Sequence, residues 1–389
     1  MKKETLVKGW SRKKLGDVLK IGSGKDHKHL KDGDIPVFGT GGLMRHVDTP
    51  LHEGETVFIG RKGTINKPFY YNGKFWTVDT LFYTYNFKDT TAKYINYVFQ
   101  KINWLKYNEA SGVPSLSKTT IEKIPFDFPP TAEQEKIVSI LTTWDCYINE
   151  LQRTIRKKEQ TKKGLLEEVL NERIKVPGSK SEWKTYTISQ LGVTFTGLTG
   201  KSKDDFGFGT PYVTYMNVFS NSKIHPDQYG LVSIQKGEKQ NYLEYGDLIF
   251  TTSSETPQDV GMSSVFLDES KNKVLLNSFC FGFRPKQNIL EPRFARFLFR
   301  GKSFRKHMFR IAQGVSRYNL SKNQFLQTKV SLPENTDDQI KIAEIFETCE
   351  LELENLKDKL KLVREQRKYL LENLVHGNIR TVKSLSATK

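Results

Sequence analysis

The sequence predicts an α+β protein made of two tandem pseudo-repeats, each a globular mixed α/β domain followed by a long helix. Short motifs recur in the same order in the two halves of the chain, which indicates an internal duplication. Each half contains a β-rich stretch bounded by turn residues. Each half also ends in a long stretch, 131–171 or 336–376, whose apolar side chains are spaced alternately four and three residues apart. That spacing is typical of a helix that pairs with another helix.

The repeats divide the chain into five parts. These are a globular domain at 1–130, a helix at 131–175, a second globular domain at 176–334, a C-terminal helix at 335–377 and a tail at 378–389. The two helices match without a gap, whereas the globular parts match only with insertions in the second copy. Surface loops absorb insertions at little cost, but a helix seam loses its register with a single one. The pattern therefore predicts two variable domains attached to helices of fixed length.

The first globular domain reads mainly as β-structure. Thr56–Ile59 is a short apolar run that predicts a strand. Phe69–Val78 predicts a hairpin, because Asn72-Gly73 is a dipeptide that favours a tight turn. Leu81–Tyr85 continues the sheet, and 91–107 has helical spacing.

The second domain follows the same order. Asp247–Thr251 predicts a strand, Ser264–Leu267 and Val274–Phe283 predict a hairpin, and Arg293–Met308 predicts one helix. A proline-bearing link follows each domain. Gln134 and Gln339 then lie three residues after a threonine, which is the spacing of a helix-capping box.

The helix pattern predicts one narrow apolar seam on each long helix. Pairing of the two seams within the chain predicts an antiparallel coiled coil if the copies are related by a pseudo-twofold axis. Polar residues interrupt the seam at Lys158, Lys162 and Arg367. The predicted apolar seam positions are Ile137, Leu141, Trp144, Ile148, Leu151 and Ile155 in the first helix and Ile342, Phe346, Leu353, Leu356 and Leu360 in the second.

Charge and composition indicate the class of partner. The formal net charge is +17 and the isoelectric point is near 9.5. Such an excess of positive charge favours a polyanionic partner, most often nucleic acid. Three distant cysteines are too few for a disulfide framework, and neither a signal peptide nor a membrane span is expected. We therefore expect a cytoplasmic protein without a membrane partner.

Candidate DNA-contacting residues lie in loops that differ between the copies. In the first copy they accompany the glycine-rich loops 39–42 and 60–63, where backbone N–H groups and Arg side chains can approach phosphates and base edges. In the second copy a polar run replaces 60–63, and 316–319 is expected to correspond to Pro114-Ser115. Each residue alone also fits an ordinary surface loop. The candidates are Thr40, Gly41, Arg45, Arg61, Lys62, Lys67 and Ser115 in the first copy and Thr251, Thr252, Ser253, Ser254, Ser316, Arg317 and Tyr318 in the second.

Patterns typical of enzymes are weak. Gly22-Ser23-Gly24-Lys25 lacks the first glycine of a phosphate-binding loop, and the histidines show no metal-binding spacing. We therefore expect no catalytic residue, metal site or cofactor in this chain. Two alternatives remain open. A self-contained DNA-cleaving nuclease could use Pro226-Asp227 with Glu269 and Lys271, or the chain could be a coiled-coil scaffold.

The doubled order of these motifs resembles the specificity subunit of type I restriction-modification systems. The resemblance covers essentially the whole chain. It is carried by the repeated Leu-Ser-Lys, the proline exits, the Gln-x-x-Ile helix entries, the Leu-Leu-Glu helix endings and the segment 35–42.

This resemblance implies that each globular domain binds one half of a bipartite, asymmetric site in double-stranded DNA. The paired helices would fix the unread spacer and dock two modification (methyltransferase) subunits, and through them the restriction/translocase subunits. The chain itself would be non-catalytic. The partner subunits would use S-adenosylmethionine for adenine N6 methylation, together with ATP and Mg²⁺.

Overall fold

The computed structural model describes residues 6–270 and 272–381, so Lys271 and most of the predicted tail lie outside the described residues. The fold consists of two compact units. The first unit combines Met1–Arg153 with Asp358–Lys389, and the second is Thr154–Lys357. Each unit therefore contains one globular domain, the first part of one long helix and the last part of the other.

The first half of the chain contains eight strands and four α-helices among its described residues. They are β1 Ser11–Lys14, α1 Leu15–Val18, β2 Lys20–Ser23, β3 Ile35–Gly39, β4 Gly42–Val47, β5 His52–Gly60, β6 Phe69–Thr77, β7 Leu81–Tyr85, α2 Ala92–Lys101, α3 Lys118–Lys123, β8 Pro125–Phe128 and α4 Thr131–Leu170. A 3-10 turn at Trp104–Tyr107 follows α2.

The described residues of the second half repeat this plan with additional short strands. The elements are β9 Trp183–Thr187, α5 Ile188–Leu191, β10 Gly192–Thr196, β11 Phe206–Val213, α6 Tyr215–Ser220, β12 Tyr229–Val232, β13 Leu248–Thr251, β14 Ser253–Ser254, β15 Ser263–Val265, β16 Leu275–Leu276, β17 Cys280–Pro285, α7 Pro292–Leu298, α8 Lys302–Ile311, β18 Ala312–Gln313, β19 Tyr318–Leu320, α9 Lys322–Gln327, β20 Lys329–Pro333 and α10 Thr336–Val375.

Matching sheets confirm the duplication. The first unit has a six-stranded sheet in the order β2-β7-β5-β6-β3-β4, and the second has a four-stranded sheet in the order β10-β17-β13-β15. In each unit the first strand also pairs antiparallel with the last strand before the long helix, as β1 with β8 and β9 with β20. The α+β class with two tandem domains and two long helices is thus the observed architecture.

The hairpin predicted at Asn72-Gly73 is wrong. Phe69–Thr77 is one continuous strand that pairs with β5, and Gly73 lies directly opposite Gly54. Both glycines have positive φ, 138° and 122°. Gly73 thus supplies a left-handed backbone conformation inside a strand rather than at a turn, because glycine alone adopts it without steric cost.

The hairpin predicted across 268–273 is also wrong. Its arms, β15 and β17, do not pair with each other, because β13 lies between them and pairs antiparallel with both. The single helix predicted at Arg293–Met308 is interrupted as well, and α7 ends at Leu298 before α8 begins. Gly301 precedes α8, and a Cβ at its position would lie 2.6 Å from Leu170 Cδ1, so the Leu170 side chain would have to shift to admit one.

The two long helices pair antiparallel within each unit. In the first unit Asp145 of α4 contacts Arg367 of α10, and Tyr147 contacts Lys359. In the second unit Lys158 and Lys162 of α4 contact Glu352 and Glu350 of α10, at 2.6 Å each. In both units the residue number of the contact on α10 falls as the residue number on α4 rises, so the two helices run antiparallel.

Most of the predicted seam is buried. Trp144, Ile148 and Leu356 are only half-buried. The buried seam residues are Ile137, Leu141, Leu151, Ile155, Ile342, Phe346, Leu353 and Leu360. The three polar seam residues, Lys158, Lys162 and Arg367, each bind an acid of the opposite helix, so they complement charge across the helix pair.

The glutamines near the two helix starts reach into the globular domains instead of closing a local capping box. Gln339 is fully buried; its Nε2 donates to the carbonyls of Pro333 (2.8 Å) and Ile289 (2.9 Å), and its Oε1 accepts from the Glu291 N–H (2.8 Å). Gln134 is also buried; its Nε2 donates to the carbonyls of Asp89 and Pro129, both at 2.9 Å, and its Oε1 accepts from the Thr90 hydroxyl at 2.8 Å. Each glutamine therefore links a helix start to the loop that precedes α2 or α7.

Among residues 6–270 and 272–381, no helix combines the length and the apolar character that crossing a membrane requires.

Candidate nucleic-acid interface

The loop after the central strand of the first domain is fixed by main-chain hydrogen bonds on two sides. The Arg61 N–H donates to the Thr80 carbonyl at 2.8 Å, and the Leu116 N–H donates to the Arg61 carbonyl at 2.9 Å. Lys62 forms an isolated β-bridge with Ser115. The Arg61 and Lys62 side chains are exposed, so a rigid backbone presents two cations to solvent.

The second domain repeats the same hydrogen bonds with different side chains. The Thr252 N–H donates to the Phe279 carbonyl at 2.9 Å, and the Leu320 N–H donates to the Thr252 carbonyl at 2.9 Å. Ser253 pairs with Asn319 as Lys62 pairs with Ser115. This confirms that the run beginning at Thr251 occupies the place of Gly60–Gly63.

The same pairing narrows one predicted correspondence. Within 316–319 it is Asn319 that corresponds to Ser115, so the exposed Arg317, two residues earlier, takes the position of Val113. Arg317 is thus an additional cation of the second domain, at a position where the first domain carries an apolar residue.

A surface pocket opens beside this loop in each domain. The pocket in the first domain, here the Arg61 pocket, has a volume of about 400 Å³, and the one in the second domain, the Arg317 pocket, about 690 Å³. The Arg61 pocket is lined by Ser23, Arg61, Lys62, Phe82, Glu109, Ser115, Leu116, Ser117 and Lys118. The Arg317 pocket is lined by Tyr215, Met216, Phe219, Ser253, Ser254, Glu255, Thr256, Asp259, Phe279, Ser316 and Arg317.

The Arg61 pocket is predominantly cationic. Arg61, Lys62 and Lys118 face one acid, Glu109. Hydrogen bonds from the Thr120 and Ser117 hydroxyls lower the pKa of Glu109, so it carries its negative charge at neutral pH. The net positive charge and the exposed donors suit contacts with phosphate oxygens and with base acceptors such as guanine O6 and N7.

The Arg317 pocket combines charge of both signs with exposed apolar surface. The Arg317 guanidinium carbon lies 5.4 Å from the centre of the Phe279 ring, which is 52% exposed. Met216 is 59% exposed, and Glu255 and Asp259 supply two carboxylates. Carboxylates can accept from cytosine or adenine amino groups, and apolar side chains contact the thymine methyl group. The two pockets therefore share a backbone frame but offer different contacts.

Some predicted site residues lie outside the pockets. Thr40 is close to the Arg61 loop, since a Cβ on Gly63 would lie 3.8 Å from its hydroxyl. Gly41 and Lys67 are exposed in neighbouring loops. The Arg45 guanidinium is engaged by Asp32 at 2.9 Å and by a backbone carbonyl.

Three predicted residues of the second copy also have other surroundings. Thr251 is fully buried, and its hydroxyl accepts from the Met262 N–H at 2.9 Å, so its side chain belongs to the core and not to a surface. Thr252 and Tyr318 are half-buried beside the Arg317 pocket without lining it.

Sequence reasoning missed several pocket residues. Phe279, Met216, Asp259 and Glu255 are brought to the pocket by turns and short helices that carry no recognisable motif. Lys118 lies in the repeated Leu-Ser-Lys, whose serine caps α3 by accepting from the Thr120 N–H. Because this segment is repeated in both halves, its residues were interpreted as structural, and Lys118 was not predicted as a site residue.

Among the described residues, no group of three or more His, Cys, Asp or Glu side chains is arranged to hold a metal ion.

Two repeated domains with loop pockets of different chemistry, each attached to paired helices, define a class of modular binding protein.

The chain belongs to the family of type I restriction modification DNA specificity domains, whose sequence profile matches residues 7–159 and 180–364. The specificity subunit of the type I restriction enzyme MjaVIII from Methanocaldococcus jannaschii is 22% identical over 355 residues, covering 85% of this chain and 77% of that protein. A Haemophilus influenzae protein, named among the type I restriction enzyme specificity subunits, is 26% identical over 113 residues. The chain spans only 29% of the length of that relative.

A solved structure supports the same fold. The S subunit of a type I restriction-modification system from M. genitalium superposes with a TM-score of 0.59 over 96% of this chain and 98% of that one, at 15% identity.

Proposed function

We propose that this chain is the non-catalytic sequence-reading subunit of a type I restriction-modification complex. In this proposal the domains at 1–130 and 176–334 each bind one half of a bipartite, asymmetric site in double-stranded DNA. The Arg61 pocket and the Arg317 pocket provide the contacts to the two half-sites. The observation that carries the proposal is the pair of equivalent loops, held by the same main-chain hydrogen bonds but bearing different side chains.

The net charge of +17 supports a DNA partner, because phosphate neutralisation contributes a large part of protein–DNA affinity. The paired long helices would set the unread spacer. Their surfaces would dock two methyltransferase subunits, and through them the restriction subunits, in the cytoplasm. S-adenosylmethionine, ATP and Mg²⁺ would act in those partners.

Replacing one arginine in each domain with alanine tests this assignment. Arg61→Ala should weaken recognition at one half-site by about 1–3 kcal/mol if Arg61 makes a bidentate base contact, and Arg317→Ala should do so at the other half-site only. Methylome sequencing of cells carrying the chain and its modification partner would reveal both half-sites. Arg310→Ala, an exposed arginine of α8 that lines neither pocket, is the matched control and should leave both half-sites unchanged.

Loss of specificity at both half-sites in either single variant would contradict the modular assignment. Cleavage of DNA by the purified chain with Mg²⁺ alone would instead support the nuclease alternative, for which Asp227 and Glu269 are both exposed.

A further inference from the structure

In the first unit one carboxylate of α4 contacts both the opposite long helix and the globular domain. Asp145 Oδ1 accepts from Arg367 Nε of α10 at 2.9 Å, and Asp145 Oδ2 accepts from the Tyr97 hydroxyl of α2 at 2.9 Å. The Arg367 guanidinium also lies 5.7 Å from the centre of the Tyr97 ring and donates to Gln100 at 3.0 Å. The acid, the cation and the aromatic ring form a closed set of contacts.

The second unit contains the same arrangement. Glu350 Oε1 of α10 accepts from Lys162 of α4 at 2.6 Å, and Glu350 Oε2 accepts from the Arg296 guanidinium of α7. The Lys162 ammonium lies 6.0 Å from the centre of the Phe297 ring. In both units one carboxylate thus contacts the opposite long helix and the globular domain at once; in the first unit Asp145 Oδ2 also accepts from Arg367 Nη2 at 3.3 Å.

The four helix residues are equivalent in the two copies. Asp145 and Glu350 occupy the same position of their helices, as do Lys162 and Arg367, in the register that matches the seams. Tyr97 and Phe297 occupy matching positions of α2 and α7 in the aligned motifs. The arrangement is therefore repeated with different side chains, which indicates a role that both halves of the molecule require.

Burial of the cations separates these contacts from ordinary surface ion pairs. The Arg296 and Arg367 side chains are 4% and 17% exposed, and their carboxylate partners Glu350 and Asp145 are 30% and 37% exposed. By contrast, Lys158 and Glu352 are 40% and 53% exposed, and their ion pair joins the two long helices only. Exposed pairs contribute little, whereas removing one partner of a buried pair leaves an uncompensated charge.

We propose that Asp145 and Glu350 are positioning residues that fix the orientation of each globular domain on its helix pair, and thereby fix the number of unread base pairs between the half-sites. The two oxygens of a carboxylate have a rigid separation. A domain helix therefore cannot shift along the long helices without breaking a bond to one oxygen. This proposal rests on the proposed function, because a spacer exists only if both domains read DNA.

A charge exchange tests the proposal in the second unit. The double variant Lys162→Glu with Glu350→Lys restores an ion pair between the long helices but places a lysine against Arg296. We expect methylation at the native spacer to fall and methylation at spacers one base pair shorter or longer to rise. The ratio of altered to native spacer should change about tenfold, because the buried Arg296 then faces a like charge. Adding Arg296→Gln should restore much of the native preference, because an amide can accept from the new lysine and donate to Glu347, the second carboxylate that Arg296 contacts.

The measurement uses the complete methyltransferase complex in cells, with a plasmid library in which both half-sites are separated by different spacers. The double variant Lys158→Glu with Glu352→Lys is the matched control. It reverses a helix–helix pair without a domain contact and should retain the native spacer preference. Tyr97→Phe provides an independent variant in the first unit, because it removes only the hydroxyl, which contacts Asp145 and Thr142 of α4, and it should also broaden spacer use. Thr142→Val leaves the bond between Tyr97 and Asp145 in place and is its control.

Equal loss of methylation at every spacer in the exchange variant would overturn the proposal, since that result indicates only loss of stability. Should the exchange variant fail to accumulate, an unchanged spacer preference in Tyr97→Phe would overturn it. If the unmodified complex methylates no bipartite site, the proposed function itself fails. If that complex methylates one with a fixed spacer and no variant changes the preference, only the positioning role fails.

Discussion

Replacing Gln339 with alanine tests how the second globular domain is attached to α10. The substitution removes three hydrogen bonds of 2.8–2.9 Å from a fully buried side chain. The carbonyls of Ile289 and Pro333 and the N–H of Glu291 would lose their partner. A buried polar group without a partner costs about 1–3 kcal/mol, and some of these groups can regain water, so we expect a total loss of about 3–5 kcal/mol.

Hydrogen–deuterium exchange measures this loss locally, without requiring the whole chain to unfold in one step. A loss of about 3 kcal/mol corresponds to a more than ~100-fold rise in the opening equilibrium of amides in α7 and at the start of α10. Gln134→Ala should produce a similar rise in α2 and the start of α4, because Gln134 Nε2 donates to two carbonyls and its Oε1 accepts from the Thr90 hydroxyl. Gln160→Ala, at an exposed position of α4, is the control and should change nothing.

Gln339→Glu sharpens the test because its carboxylate has the same shape but cannot donate to the two carbonyls at neutral pH. It should therefore destabilise the region at least as much as alanine. The refuting result is an amide exchange rate in Gln339→Ala within about threefold of that of the unmodified protein. Such a change corresponds to a loss of stability below about 0.7 kcal/mol and would mean that this glutamine does not attach the domain.

Two further predictions concern stability. Burial raises the pKa of the Asp338 carboxyl, but hydrogen bonds from the Ser181 and Lys180 N–H groups, the Ser181 hydroxyl and Lys341 outweigh it and hold the pKa well below its usual range. A depressed pKa stabilises the fold above about pH 4 and loses that effect as pH falls further. The urea midpoint of Asp338→Asn should thus lie below that of the unmodified chain at pH 7 and converge with it in acid; a constant difference would contradict this account. Gly54→Ala should cost about 1–2 kcal/mol in urea unfolding, because Gly54 has a φ of 122° and no atom near a new Cβ, so backbone strain acts alone. Gly41→Ala, which also has free space but no positive φ, should be nearly neutral.

The long helices could be predicted from sequence because their signal is local and periodic. Each apolar position specifies a face of its own helix, so the seam follows from spacing alone. The partners of the polar seam residues could not be predicted, since Lys162 and Glu350 are far apart in the chain and meet only through antiparallel pairing.

The sheets were harder to predict than the helices, because strand pairing depends on residues that are distant in the sequence. Asn72-Gly73 has the composition of a turn, but the strand opposite it carries Gly54, and cross-strand pairing is invisible in a local window. The candidate site was partly predictable because Arg61 and Ser253 follow a recognisable repeated strand. Phe279 and Asp259 reach the Arg317 pocket through tertiary folding, and no spacing rule indicates them.

The shared bonds that hold the Arg61 loop and its counterpart at Thr252 are formed by peptide groups, and the Arg61 side chain adds only a long bond of 3.3 Å to the Asp79 carbonyl. Any residue that retains its amide hydrogen can supply such bonds, so a substitution at these loop positions need not disturb folding. New binding preferences can therefore arise at these positions by single codon changes, while selection acts on the cellular consequences of the new target and not on the stability of the protein.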